Sequence, residues 1–398
     1  MRTVLSTIGT FHTFDLARQM EERGALSAIF SGYPRFKLRQ QALPEDKVKT
    51  FPYLHAPYMR WGNRVGGLRR TWEWQDKLWF DRHVANHMPE CDIFCGLSSS
   101  GLFSGLRAKS MGAKYVCDRG SSHIRFQERI LREEYERQGI AFGGIDPRVI
   151  AREEAEYASA DVIAVPSTFA FDTFPQFGIP REKMRLIPYG VELHNFYPSA
   201  VRSKSEFHIL FAGNVTVRKG VHDLVEAFQQ LSCESKRLIF AGPISTELKG
   251  AVAHWSNDSR MSFLGHLSQP QLRDMMSTSH VMVLPSLEEG LALVQAQALA
   301  CGCPVLASEN TGARDLFTDG KEGFIVPVRD PLAIADRLQL LADNAELHMR
   351  MSEAALQRVQ ANGGWRAYGD RAYQVFSELV GPKVSVNQNP TSELVGHD

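Results

Sequence analysis

Between residues 281 and 308 the chain reads VMVLPSLEEGLALVQAQALACGCPVLAS, a pattern that predicts one strand, one helix and one strand, with a carboxylate where the helix begins. Residues 281–284 form a short apolar run closed by Pro285, and residues 304–307 form another. Both read as strands buried on two faces of a parallel sheet. Residues 291–300 carry no charge and two polar side chains, Gln295 and Gln297, which successive turns of a helix set on opposite sides. A helix apolar nearly all round is a buried helix. Its first amides, near Leu291 to Val294, fall at the carboxyl end of the sheet, where open α/β folds bind ligands and helix starts favour anions. A phosphorylated ligand is the expectation.

The same strand and helix periods run through the rest of the chain. In the first half, strands are expected at 3–6, 28–30, 92–96, 114–118, 161–166 and 184–188, with helices at 14–22, 125–137 and 149–159 between them. The chain turns polar over 198–205, and a second α/β unit starts at 207–212. It continues through a helix at 221–231, strands at 237–241, 261–264, 281–284, 304–307 and 323–328, and a helical tract over 331–360. This predicts two doubly wound domains, 1–199 and 200–363, with a helix at 364–380 crossing back onto the first and a flexible tail over 381–398. A cleft between such domains is a favoured ligand site.

Composition restricts the class. With 398 residues, 43% apolar and 23% charged, this is ordinary globular material in two or three domains. The zero net charge hides an asymmetry: residues 33–72 hold nine Lys or Arg against Glu45 and Asp46, so this segment carries +7 and the remainder −7. The six cysteines show no paired CxxC spacing and read as reduced core thiols. No signal-peptide pattern opens the chain, and no run approaches the roughly 18 apolar residues that span a bilayer. A cytoplasmic protein is expected. Neither half has GxGxxG after its first strand, and there is no GxxxxGK[ST] loop, so nicotinamide, flavin and P-loop chemistry are disfavoured.

Residues 211–220, FAGNVTVRKG, place Gly213 where the backbone can approach a ligand and put Arg218 and Lys219 just before a helix. Two cations there oppose the helix dipole unless an anion, such as a diphosphate, sits between.

Together with MSFLGH at 261–266, the stretch 285–307, NTGARDLFTDGKEGFIVP at 310–327, ADVIAVPS at 160–167 and RLIPYGVELHNFYP at 185–198, this segment resembles glycosyltransferase family 4. That is a group of retaining enzymes that use nucleotide sugars. The resemblance covers residues 150–380 well and the first 150 in outline. It implies an α/β GT-B fold, two Rossmann-like domains facing across a deep cleft. The implied activity is transfer of a hexose-type sugar from a nucleotide-diphosphate sugar to a hydroxyl of a glycan, glycolipid or other glycoconjugate, with no cofactor and no metal.

Carried over residue by residue, the family's pair of glutamates separated by seven residues falls on Glu289 and Gln297. The first contacts donor-sugar hydroxyls; the second, a ribose ligand, is glutamine here and loses the charge-assisted part of that bond, about 1 kcal/mol. Asn214 stands where an arginine commonly helps the lysine, here Lys219, to hold the diphosphate, and Arg218 is the expected substitute. Gly290, Leu291, Ala292, Leu293 and Val294 follow the first glutamate, with Ala292 in place of a glycine; Gly213, Gly265 and His266 complete the implied donor site. From the first domain, Asp118 or His123 is expected beside the transferred sugar, although either residue could equally be capping the helix that follows. Gly9 and Thr10 are expected on the acceptor side, with His12 nearby. Two rivals stay open: a GT-B phosphorylase or epimerase, and a nucleotide-sugar-binding protein that has lost catalysis.

Residues 33–82 mix cations, aromatics and prolines. Arg69, Arg70, Trp72, Trp74 and Trp79 are expected on one amphipathic helix. The segment reads as a solvated insertion, an acceptor surface or a patch for anionic lipid headgroups that would hold the protein peripherally on a membrane. Nucleic-acid binding is not expected, since no RNA-binding motif and no overall basic charge are present.

Overall fold

The structure, a computed structural model, describes residues 1–62, 66–191, 194–203, 205–360 and 363–381. The tail expected over 381–398 therefore lies, apart from Gly381, outside the described residues, as do Arg64 of the basic segment and Glu192 and Leu193 of the segment between the domains.

Two wholly parallel sheets account for the strands. The first holds β1 (Thr3–Thr7), β2 (Leu26–Ser31), β3 (Val48–Thr50), β4 (Ile93–Leu97), β5 (Lys114–Asp118), β6 (Val162–Val165) and β7 (Met184–Leu186), in the order β3-β2-β1-β4-β5-β6-β7. The second holds β8 (Phe207–Ala212), β9 (Lys236–Ala241), β10 (Met261–Gly265), β11 (Val281–Leu284), β12 (Val305–Ser308) and β13 (Gly323–Val326), in the order β10-β9-β8-β11-β12-β13. In each sheet the order reverses once, between β1 and β4 and between β8 and β11. The loops that leave these strands diverge there and open a crevice, the place where open parallel sheets bind ligands.

Apolar runs such as VMVL and VLAS are fully buried because helices cover both faces of the sheet. One core fills the second domain, and two flank the first sheet. The last helix, Gly364–Val380, belongs spatially to the first domain. Its Tyr368, Ala372 and Phe376 join Leu5, Phe14 and Met20 in one buried cluster, and Asp370 pairs with Arg23 at 2.5 Å. All six cysteines are free, and all but Cys233 are buried.

Three expectations need correction. The tract 331–360 is two helices, Pro331–Asp343 and Ala345–Gln360, because Asn344 leaves helical geometry and its side chain accepts the Leu347 N–H at 2.9 Å. A helix does span Arg69–His87, and Trp72 and Trp79, seven residues apart, fall on one face of it, but Trp74 does not. Trp72 meets Tyr58, Trp74 lies under the Arg148 and Arg152 guanidiniums, and Arg70 is tied to the Gly143 and Gly144 carbonyls. The buried face of that helix is partly polar: Asp81 caps the Leu102–Ser110 helix by accepting the Phe103 and Ser104 N–H groups and pairs with Arg152. Finally, the helix expected from residue 291 starts at Val294. No helix among the described residues is long and apolar enough to cross a membrane.

Candidate functional site

The loops at the two crevices meet. Gly290 of the second domain packs so closely on Gly120 of the first that a Cβ on it would overlap the Gly120 carbonyl. Around this seam, Ser167 Oγ donates to the Gly290 carbonyl, and the Thr168 N–H and hydroxyl donate to Asp315 at 2.9 and 3.0 Å.

In the second domain, the loop after β8 turns at Gly213 (φ +142°) and closes in a short turn, Val217–Lys219, ahead of helix Val221–Gln230. Gly220 ends that turn at φ +65°, pressed against the Pro285 carbonyl, a place where a side chain would be both strained and blocked. The loop after β11 brings Glu289 back to the same point. Lys219 Nζ pairs with Glu289 Oε1, and Arg218 Nη2 lies 3.7 Å from the same oxygen. Asn214 is exposed, and Gly265 and His266 sit at the end of edge strand β10, where Gly265 bridges Gly242, itself packed on the Gly213 carbonyl.

The anion site expected at Leu291 to Val294 changes shape. With the helix start moved to Val294, the Ala292 N–H is committed to the Thr311 carbonyl at 3.2 Å and the Glu289 N–H to the Asn310 carbonyl at 2.9 Å. Gln295 is wholly buried, and its amide donates to the Thr311 carbonyl at 3.0 Å; Gln297, two residues on, is half-buried. The two glutamines thus divide between core and surface as helical geometry requires.

In the first domain, Asp118 ends β5 and His12 follows β1. His12 Nε2 lies 2.6 Å from Asp118 Oδ2, so that nitrogen carries the bonding proton and the carboxylate accepts it. The His12 ring stacks on Tyr189 at 4.0 Å between centroids, with Tyr368 of the last helix edge-on at 6.3 Å. Gly9 is buried and accepts the Ser31 hydroxyl at 3.2 Å, while Thr10 is exposed.

His123 is not brought to this pair. Its Nδ1 accepts the Arg125 N–H at 3.2 Å as the cap of helix Ile124–Arg137, and its ring stacks on Phe177 at 4.5 Å among Tyr157 and Phe174. Burial, aided by the Arg119 charge, pushes its pKa down to about 4. A histidine moved there from its usual 6.5 contributes up to about 3 kcal/mol of stability, present in full above pH 6.5 and lost as pH falls to about 4. His123→Asn keeps a capping acceptor and removes the titration. Thermal melts from pH 7 to pH 4.5 should show a smaller loss of Tm for this variant than for the wild type; parallel losses would place the acid sensitivity elsewhere.

One central residue was not singled out in the sequence. Glu288, adjacent to Glu289, is fully buried and reaches across the seam. Its Oε1 accepts the Ser121 hydroxyl, the Ser122 N–H at 3.0 Å and the Ser122 hydroxyl at 2.8 Å; its Oε2 accepts Gln127 Nε2 at 2.9 Å and faces Arg218 Nη1 at 3.3 Å. Burial pushes its carboxyl up, but the Arg218 charge and the serine hydrogen bonds outweigh burial and hold the pKa at about 2. The signal available beforehand was the doubled glutamate in SLEEG opposite the doubled serine in DRGSSH.

Residues 197–358 match the family described as glycosyl transferases group 1. A D-inositol 3-phosphate glycosyltransferase of Xylanimonas cellulosilytica is 33% identical over 254 residues, 58% of this chain and 60% of that relative, so the chain spans about three fifths of its length. Among solved structures, sucrose-phosphate synthase from Thermosynechococcus elongatus superposes with a TM-score of 0.68 at 19% identity, covering 95% of this chain and 99% of that one. HepE of Anabaena, solved with UDP and glucose, gives 0.69 at 15% identity, with 95% and 100% covered. Residues 197–358 are a glycosyl transferases group 1 domain, set in a chain with the GT-B fold.

Proposed function

We propose that this chain is a retaining, metal-independent glycosyltransferase that moves a hexose-type sugar from a nucleotide-diphosphate sugar to a hydroxyl of a glycan, glycolipid or other glycoconjugate. The observation that carries the reading is the meeting of Arg218, Lys219 and Glu289 at the β8/β11 crevice, opposite the His12–Asp118 pair across the seam. Arg218 and Lys219 neutralise the diphosphate and stabilise it as it leaves. Glu289 receives sugar hydroxyls once Lys219 turns to the phosphates. Asp118, oriented by His12, faces the positive charge that develops on the sugar. Closure of the two domains holds the acceptor hydroxyl in line and keeps water out. HepE, solved with UDP and glucose, supports a nucleotide-sugar donor by analogy of fold.

Turnover with candidate donors, with and without EDTA, tests this. A transferase releases nucleotide only when acceptor is supplied, and the product keeps the donor's anomeric configuration. An epimerase alters the sugar and keeps the nucleotide attached; a protein that only binds does neither.

The exposed side of the first domain supports a companion proposal, that the enzyme works peripherally on an anionic membrane surface, on its cytoplasmic face. Phe36 is 67% exposed, Tyr53 74%, Trp61 43% and Leu68 69%, and these lie among exposed Arg35, Lys37, Arg39, Arg60 and Arg69. Apolar side chains interleaved with cations suit a headgroup layer of opposite charge. The protein should float with vesicles containing phosphatidylglycerol at low salt, and not with phosphatidylcholine vesicles. Equal behaviour with both would remove the proposal.

A further inference from the structure

Glu288 has a place that neither the donor site nor the acceptor site requires. Four partners hold its carboxylate, and three of them, Ser121, Ser122 and Gln127, belong to the first domain, while the fourth, Arg218, belongs to the donor loop. A buried carboxylate persists only when each lone pair is matched by a donor, and these partners do that from both sides of the seam. The Ser121–Ser122 turn follows directly on Asp118, Arg119 and Gly120, and Gly120 is the backbone on which Gly290 rests. Arg119 extends the network, donating to the Ser122 carbonyl at 2.9 Å and to Gln127 at 3.0 Å. Arg218 also donates to the Glu288 carbonyl at 3.2 Å, and its side chain keeps about a third of its surface open to the crevice. A continuous path therefore runs from the cation that faces a diphosphate, through one carboxylate, to the loop that carries Asp118.

We propose that Glu288 is a positioning residue that clasps the two domains by binding the Ser121–Ser122 turn and Arg218 together, so that donor occupancy and closure over the acceptor are linked. This rests on the glycosyltransferase reading for its catalytic consequence, although the clasp itself can be tested without it. Glu288 touches no substrate in this account; it fixes Arg218 on one side and the turn behind Asp118 on the other.

The test uses Glu288→Gln, Ser122→Ala and the double variant in the full chain. Glu288→Gln keeps the shape and one acceptor, and removes the charge. Without any nucleotide, hydrogen exchange of residues 119–127 should rise at least about tenfold in Glu288→Gln while the strands of each sheet stay protected, and small-angle scattering should report a larger radius of gyration. Under turnover, each single variant should lower kcat at least about tenfold, and the double variant should fall no further than the worse single one, since both remove the same clasp. Exchange and radius unchanged in Glu288→Gln would overturn the proposal, as would effects on kcat that multiply in the double variant. Gly290→Ala, which must push Gly120 away, gives an independent opening of the seam and should raise exchange over the same residues; protection unchanged in that variant would also count against the clasp. If the wild type turned over no donor, the glycosyltransferase reading would fail, and the exchange and scattering results would still decide for or against the clasp.

Discussion

Lys219→Ala is expected to lower kcat/KM for the nucleotide sugar by about 10²–10³-fold, the effect of removing one preorganised donor from a site where negative charge gathers in the transition state. The lysine is well placed for that role. It closes the turn after β8, is 13% exposed, and is paired with Glu289. Its position depends on Gly220, whose left-handed backbone and contact with the Pro285 carbonyl leave no room for another residue. On the proposed function, a diphosphate would compete with Glu289 for the ammonium and free that carboxylate for sugar hydroxyls, so that one exchange of partners prepares both ends of the donor. Lys219→Arg should recover little, because a planar fork does not occupy the place of a compact ammonium. Steady-state kinetics decide it: a value of kcat/KM within threefold of the wild type would take Lys219 out of the site.

Asp118→Asn is the second large effect, a fall in kcat of about 10²-fold with nucleotide affinity little changed. The substitution keeps the side chain's shape and its hydrogen bond to His12, and removes the charge. His12 is held by Tyr189 and by Tyr368 from the crossing helix, so the protein's own rings orient the pair. Since Asp118 lies on the first domain and the proposed phosphate-binding pair, Arg218 and Lys219, on the second, its loss should appear in the chemical step and not in binding. Single-turnover rates and nucleotide titrations separate the two. Weakened nucleotide binding with an unchanged rate would contradict the assignment.

Much of this architecture was legible in the apolar periodicity. The strands Lys114–Asp118, Phe207–Ala212 and Val281–Leu284 are built on short apolar stretches, and their limits in the fold coincide with those read from the pattern. Strand Val48–Thr50 was not legible, because three residues with a lysine in the middle carry no period. The Val294–Ala300 helix starts three residues later than the apolar pattern suggests, and over the stretch ahead of it the Ala292 amide bonds to the Thr311 carbonyl of a neighbouring loop, a tertiary contact that leaves no mark in the local pattern. In the site, Lys219, Arg218 and Glu289 were readable from motif spacing, and the fold brings them together. His123 was readable equally as a neighbour of the transferred sugar and as the cap of the following helix, and the fold commits it to capping and stacking. Glu288 was hidden because two adjacent glutamates look alike in a sequence. Only the placement of Ser121, Ser122 and Gln127 across the seam separates the one that is buried between domains from the one that meets Lys219.

The proposed function stands or falls with binding of a nucleotide diphosphate at the β8/β11 crevice through Lys219. Thermal stabilisation by UDP, GDP, ADP and their common sugar conjugates, with EDTA present, tests it on the wild type and on Lys219→Ala. At a concentration 100 times Kd a bound nucleotide adds about 2.7 kcal/mol to the folded state, enough for a clear rise in Tm. The account predicts such a rise with one base, undiminished by EDTA and absent in Lys219→Ala. No rise with any nucleotide, or an equal rise in the variant, would contradict it.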